Sequence, residues 1–143
     1  AQSVEIVDED IDAFLRGAER SAELVELDAL IRAALPGIRR TLWRGKMWGG
    51  TEQAIVGYGL IRQPRPKGAG VEWFLVGMAE QKRHLSVYVN AAESGKYLVQ
   101  LNADRLGKVR VGAAAVTFRE IADLDIPEFQ ALLMRARQLF PDA

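Results

Sequence analysis

Apolar residues recur first at helical spacing, then in alternation, then at helical spacing again. Ile11, Phe14, Leu15 and Ala18 mark a first helix, with Asp8 as N-cap and Glu9 and Asp10 near the positive end of its dipole. A short extended lead-in at residues 4–7 precedes it. Gly17 weakens this helix. After a break near residues 17–21, Leu24, Leu27, Ile31 and Leu35 form one stripe, which Pro36 and Gly37 terminate.

Residues 38–44 alternate apolar with basic side chains and predict a half-exposed strand, broken by Gly45, Gly49 and Gly50 around Met47 and Trp48. In the strand at residues 54–61, Ala54, Val56, Tyr58 and Leu60 point one way and Ile55 and Ile61 the other. Gly57 and Gly59 flank Tyr58 and leave bare backbone for a close neighbour. Residues 62–70 read as a polar loop and residues 71–78, apolar on both faces, as a central strand. A charged connection at residues 80–83 leads to a strand in which Leu85, Val87 and Val89 alternate with His84, Ser86 and Tyr88.

Residues 94–106 carry Tyr97, Leu98, Leu101 and Leu106 and predict a short helix closed by Gly107, followed by a loop and a strand ending at Val116 and Phe118. Asp125, Ile126, Pro127 and Glu128 are a capping-box signature, and Phe129, Leu132, Leu133, Ala136 and Phe140 follow at helical spacing up to Pro141. Most strand connections are too short for helical crossovers, so the fold class is α+β: a mainly antiparallel sheet with helices packed on one face.

At 143 residues the chain fits one domain, residues 1–143, long enough to build a core without staples. Zero Cys excludes disulfides, thiolate metal sites and cysteine nucleophiles, and a single His excludes any site needing two imidazoles. No apolar run approaches the ~18 residues of a membrane span and no signal segment opens the chain, so the expected location is cytoplasmic, with no membrane partner. The 19 bases balance the 19 acids, but residues 1–35 hold nine acids and three bases, whereas residues 36–110 hold thirteen bases and five acids. That segregation is compatible with an acidic and a basic face, or simply with acids on a first helix and bases on strands and loops.

Candidate chemistry is sparse. A Ser-His-Asp triad has to use His84; Ser86 stands two places on, but no acid is placed to orient the ring and no G-x-S-x-G elbow exists. Gly57-Tyr58-Gly59 lacks the third glycine of a dinucleotide fingerprint, and Gly45-Lys46 lacks the following Ser or Thr of a P-loop. Asp8 and Asp12 are four apart and Glu9 and Asp12 three apart, with Glu19, Glu23 and Glu26 a second row, so carboxylates sharing a helix face can share a hard cation. The plainer reading is a solvated face that stabilises the helix.

Arg39, Arg40, Arg44, Lys46, Arg62, Arg65, Lys67, Lys82 and Arg83 can converge at one end of the sheet, near Trp43, Trp48, Trp73 and Tyr88. Zero net charge and no ribonucleoprotein-type motif argue against nucleic acid. A small anionic ligand at Trp43, Lys46 and Tyr88, with Trp48 and His84 nearby, fits better; core packing of the aromatics is the plainer alternative.

Trp43 followed by Met47, then Gly57-Tyr58-Gly59, Trp73-Phe74-Leu75-Val76-Gly77-Met78, Lys82 and Leu85-Ser86-Val87-Tyr88 resemble the YdhG-like domain family. Leu106-Gly107-Lys108, Val111-Gly112, Val116-Thr117-Phe118 and Leu124-Asp125 resemble its closing half, so the likeness spans residues 7–140. It implies helices packed on an antiparallel sheet, similar to frataxin-like folds, in a family mostly without assigned activity. One branch resembles an intracellular iron chaperone, which implies an iron-holding acidic face at Asp8, Glu9, Asp12, Glu19 and Glu23, matched by location on the first helices. Trp43-Arg44-Gly45 departs from the family's tryptophan-glycine start, and Lys46-Met47-Trp48 replaces its Met-Pro turn.

Three functions follow as expectations: a non-enzymatic binding protein for iron or a small ligand, a ligand pocket or catalytic cleft between sheet and loop, and a protein-interaction module.

Overall fold

The alternating segments pair into one antiparallel sheet. The computed structural model describes residues 4–47, 51–63 and 70–143. The strands are β1 (Glu5–Val7), β2 (Arg40–Met47), β3 (Thr51–Gln63), β4 (Val71–Glu80), β5 (Leu85–Val89), β6 (Ala92–Glu93), β7 (Lys96–Tyr97), β8 (Arg110–Val111) and β9 (Ala115–Phe118). Seven of them form a sheet in the order β1-β2-β3-β4-β5-β9-β8, while β6 and β7 make a separate small hairpin. Every pairing is antiparallel. The helices are α1 (Ile11–Gly17), α2 (Ser21–Ala34), α3 (Leu98–Leu101) and α4 (Ile126–Leu139).

Register assigns the two faces. Leu42, Val56, Met78, Val87, Val116 and Val111 form one cross-strand row, and Arg40, Tyr58, Val76 and Val89 another on the same face. Asp28 of α2 reaches Tyr58 there, so this face carries the helices. The stripes Leu24, Leu27 and Ile31 of α2 and Phe129, Leu132, Leu133 and Ala136 of α4 are buried in a common core. Gln130 of α4 donates to the carbonyl of Leu30 at 3.0 Å, locking the two helices side by side. Thr41, Gly57, Gly77, Tyr88 and Ala115 form a row on the opposite face. From Trp73 to Ala79 every residue of β4 is buried, as its unbroken apolar run predicts. The α+β architecture with helices on one face of an antiparallel sheet is therefore as expected.

Local structure departs from the sequence pattern in several places: β3 continues through Arg62 and Gln63, which pair with Glu72 and Val71, and Arg110–Val111 form an edge strand inside the expected loop. The N-cap of α1 is Asp10 and not Asp8: its carboxylate accepts from the Ala13 amide at 3.1 Å and its carbonyl accepts the first helical bond, from the Phe14 amide at 2.9 Å. Strand β2 runs through Gly45, which pairs with Gln53, because the long β3 supplies backbone partners up to Met47. Residues 94–106 are not one helix: Ser94 and Gly95 turn the chain between β6 and β7, and only the four residues of α3 and a 3-10 turn at Ala103–Arg105 are helical. The proposed break at Trp48, Gly49 and Gly50, and residues 64–69 of the polar loop, with Arg65 and Lys67, lie outside the described residues. Among the described residues no helix is long and apolar enough to cross a membrane.

Candidate functional site

A hollow of about 970 Å³ opens where the start of β5, the end of β9 and the loop before β8 meet. Arg83, His84, Lys108, Arg110, Arg119, Glu120 and Asp123 supply its charged or titratable walls, and Thr117 and Phe118 part of its floor. Strand pairing assembles it. Leu85 pairs with Phe118, so the next residues along each strand bring His84 and Arg119 together at the sheet end. Arg110 pairs with Thr117, and the Thr117 hydroxyl donates to its carbonyl at 3.4 Å.

Gly107 places the third wall. Its φ is +100°, and a Cβ there would strike the Asp123 carbonyl oxygen, so only glycine permits this approach. The Lys108 amide then donates to that carbonyl at 2.7 Å and the Asp125 amide to the Leu106 carbonyl at 2.9 Å. From the helix side, the Arg20 guanidinium donates to the Arg119 carbonyl, and the Arg20 amide to Glu80 Oε2 at 3.0 Å. The backbone carrying the basic side chains is thus tied down while their heads remain in solvent.

Among the described residues, none of Arg83, Lys108, Arg110 and Arg119 forms an ion pair, although Glu120 and Asp123 line the same hollow. Four basic side chains against two acidic ones leave the hollow electropositive, an arrangement that attracts anions. It offers no assembled catalytic set: the only imidazole has no hydrogen-bonded carboxylate or hydroxyl partner among the described residues.

The sequence-predicted ligand residues separate. His84 lines the hollow. Trp43 and Tyr88 lie on the face away from the helices, each against Phe74, at ring-centroid distances of 5.8 and 6.2 Å. Trp73 stacks on Phe74 at 4.4 Å, and Trp43 donates its indole N–H to Thr41 Oγ1 at 2.8 Å. Phe74 fits beneath these rings because Gly57 has no Cβ to displace it. The Tyr88 hydroxyl meets Gln81 Nε2 at 3.3 Å, and burial raises its pKa. These contacts are those of a packed aromatic cluster. Lys46 is exposed on β2, where it pairs in register with Glu52, and Trp48 lies outside the described residues.

The acidic candidates are dispersed. Glu9 forms a two-pronged pair with Arg44, with Nε at 2.6 Å and Nη2 at 3.0 Å. Asp12 pairs with Arg40 at 3.0 Å and Glu23 with Arg20 at 2.8 Å, while Asp8 and Glu19 are exposed. Among the described residues no three carboxylates or imidazoles gather where they can hold a metal ion.

Sequence reasoning missed Lys108, Arg110 and Arg119, since a short edge strand gives little periodic signal; two bases flanking Val109 were the available clue. It also missed Asp28, only 4% exposed, which accepts from the Tyr58 hydroxyl at 2.6 Å and from Arg40 Nη1 at 3.3 Å. An acid on the same stripe as Leu24 and Ile31 was the clue there. Comparison with known protein families, curated proteins and solved structures returned no match.

Proposed function

We propose that the chain is a non-enzymatic binding domain for a small anionic ligand, held in the basic hollow. The observation that carries this reading is the convergence of Arg83, Lys108, Arg110 and Arg119, without ion-pair partners among the described residues, around one concavity beside His84. The YdhG-like resemblance supports the binding-domain class, and the pairing of Glu9, Asp12 and Glu23 with arginines favours a ligand other than iron.

An exposed charge pair contributes only about 0.2–1 kcal/mol, so useful affinity requires several contacts to one group. Contacts from Arg83, Lys108, Arg110 and Arg119 to one phosphate-type group add up, and their sum has to exceed the cost of association before binding is seen.

The test is titration of inorganic pyrophosphate at low ionic strength, followed by amide NMR shifts. Saturable shifts should centre on residues 83–84, 107–110 and 117–123, and Arg110→Gln with Arg119→Gln should weaken binding at least about tenfold. Shifts centred elsewhere, or a Kd untouched by the double substitution, would overturn the reading.

A further inference from the structure

The acids in the hollow carry the reading one step further. Glu120 and Asp123 line the same concavity as the four bases, yet neither carboxylate forms an ion pair with any of them. Their positions are imposed by the fold. Glu120 directly follows the Arg119 whose carbonyl is held by Arg20, and Asp123 ends a 3-10 turn whose carbonyl accepts the Lys108 amide. Opposite charges are therefore presented around one space instead of neutralising each other.

A plain polyanion entering that space is attracted by the four bases but also meets two carboxylates, so it binds more weakly than a ligand that complements both signs. A ligand that complements all six charges carries both signs. The volume, about 970 Å³, lies at the upper end of the range for small-molecule sites, so it has room for a second charged group beyond a phosphate.

We infer that the hollow is built for an amine-bearing organic phosphate, its phosphate on the arginines and lysine and its ammonium on Glu120 and Asp123. This rests on the anion-binding reading above, and a matched pair of probes separates the two. Phosphoethanolamine and ethyl phosphate share the phosphate monoester and differ in the ammonium. Titrated by NMR into the intact chain at low ionic strength, phosphoethanolamine should bind at least about threefold more tightly.

Glu120→Gln and Asp123→Asn, made separately so that a folding defect in one does not remove the test, should each reduce that preference. Both should leave ethyl phosphate binding equal to or stronger than in the parent chain. Equal affinity for the two probes, or a preference that survives both substitutions, overturns the amine subsite and leaves the anion site standing. If neither probe shifts the hollow, both readings fall.

Discussion

The Tyr58 hydroxyl donates to Asp28 across 2.6 Å, joining the middle of the sheet to the inward face of α2 within the core. Asp28 also accepts from Arg40, which extends to Asp12 on α1, so one buried carboxylate connects two helices with two strands. A carboxylate this deep is tolerated only when its lone pairs are occupied.

Removing either end of that bond should therefore cost more than a surface change. Tyr58→Phe withdraws one donor and is expected to destabilise by about 1–3 kcal/mol. Asp28→Ala strips Arg40 of its inner partner as well and is expected to cost about 3–5 kcal/mol. Urea denaturation of both variants gives the order directly. A Tyr58→Phe loss below about 0.5 kcal/mol, the range of ordinary surface substitutions, would show the bond to be incidental.

Gly57 is predicted to be intolerant of even one methyl group. A Cβ there would lie 2.7 Å from Trp43 Nε1, 2.9 Å from Phe74 Cβ and 3.0 Å from Thr41 Oγ1. Gly57→Ala should cost about 1–3 kcal/mol by overpacking and should shift tryptophan emission as the Trp43–Thr41 hydrogen bond is disturbed. Gly17→Ala is the control: nothing lies within 4 Å of a Cβ there, and helix propensity should make it neutral or stabilising by up to about 1 kcal/mol. Equal stabilities for the two alanine variants would contradict the close packing.

Stability should fall at both ends of the pH scale, for different groups. Burial, and then the Asp28 carboxylate, push the Tyr58 pKa well above its ordinary value, so the folded chain keeps a proton that the unfolded chain releases near pH ~10. Its contribution is complete below that pH and is lost as pH rises toward the raised value. Tyr88, raised by burial, acts in the same direction. Hydrogen bonds from Arg44, Arg40 and Arg135 lower the pKa values of Glu9, Asp12 and Glu93. Their contributions are present above about pH 4 and disappear as pH falls through the lowered values. Urea midpoints measured from pH 3 to pH 11 should show a plateau with two falling limbs, and Tyr58→Phe should flatten the alkaline one. An alkaline limb unchanged in Tyr58→Phe would assign that loss to other groups.

Much of this architecture was legible in the linear pattern. The stripe of α4 and its Asp125 cap, whose carboxylate accepts from the Glu128 amide at 3.1 Å, follow from local spacing, as does the burial of β4 on both faces. Residues 94–106 were harder, because a two-residue turn and four-residue helix are too short for periodicity to distinguish. The candidate site was the least legible part. Only His84 and Arg83 among the hollow's charged walls stood out beforehand, and Trp43 and Tyr88 went to aromatic packing instead.

Taken alone, the order of residues determined the long helices and strands, the apolar faces they present and which chemistries lack their atoms, since these depend on neighbours a few positions apart; the short elements at residues 94–106 escaped it. Only the tertiary structure decided that Arg83, Arg110 and Arg119 share a hollow while Glu9, Asp12 and Glu23 pair with arginines. Such encounters depend on strand register and on the close approach at Gly107, which bring together groups far apart along the chain.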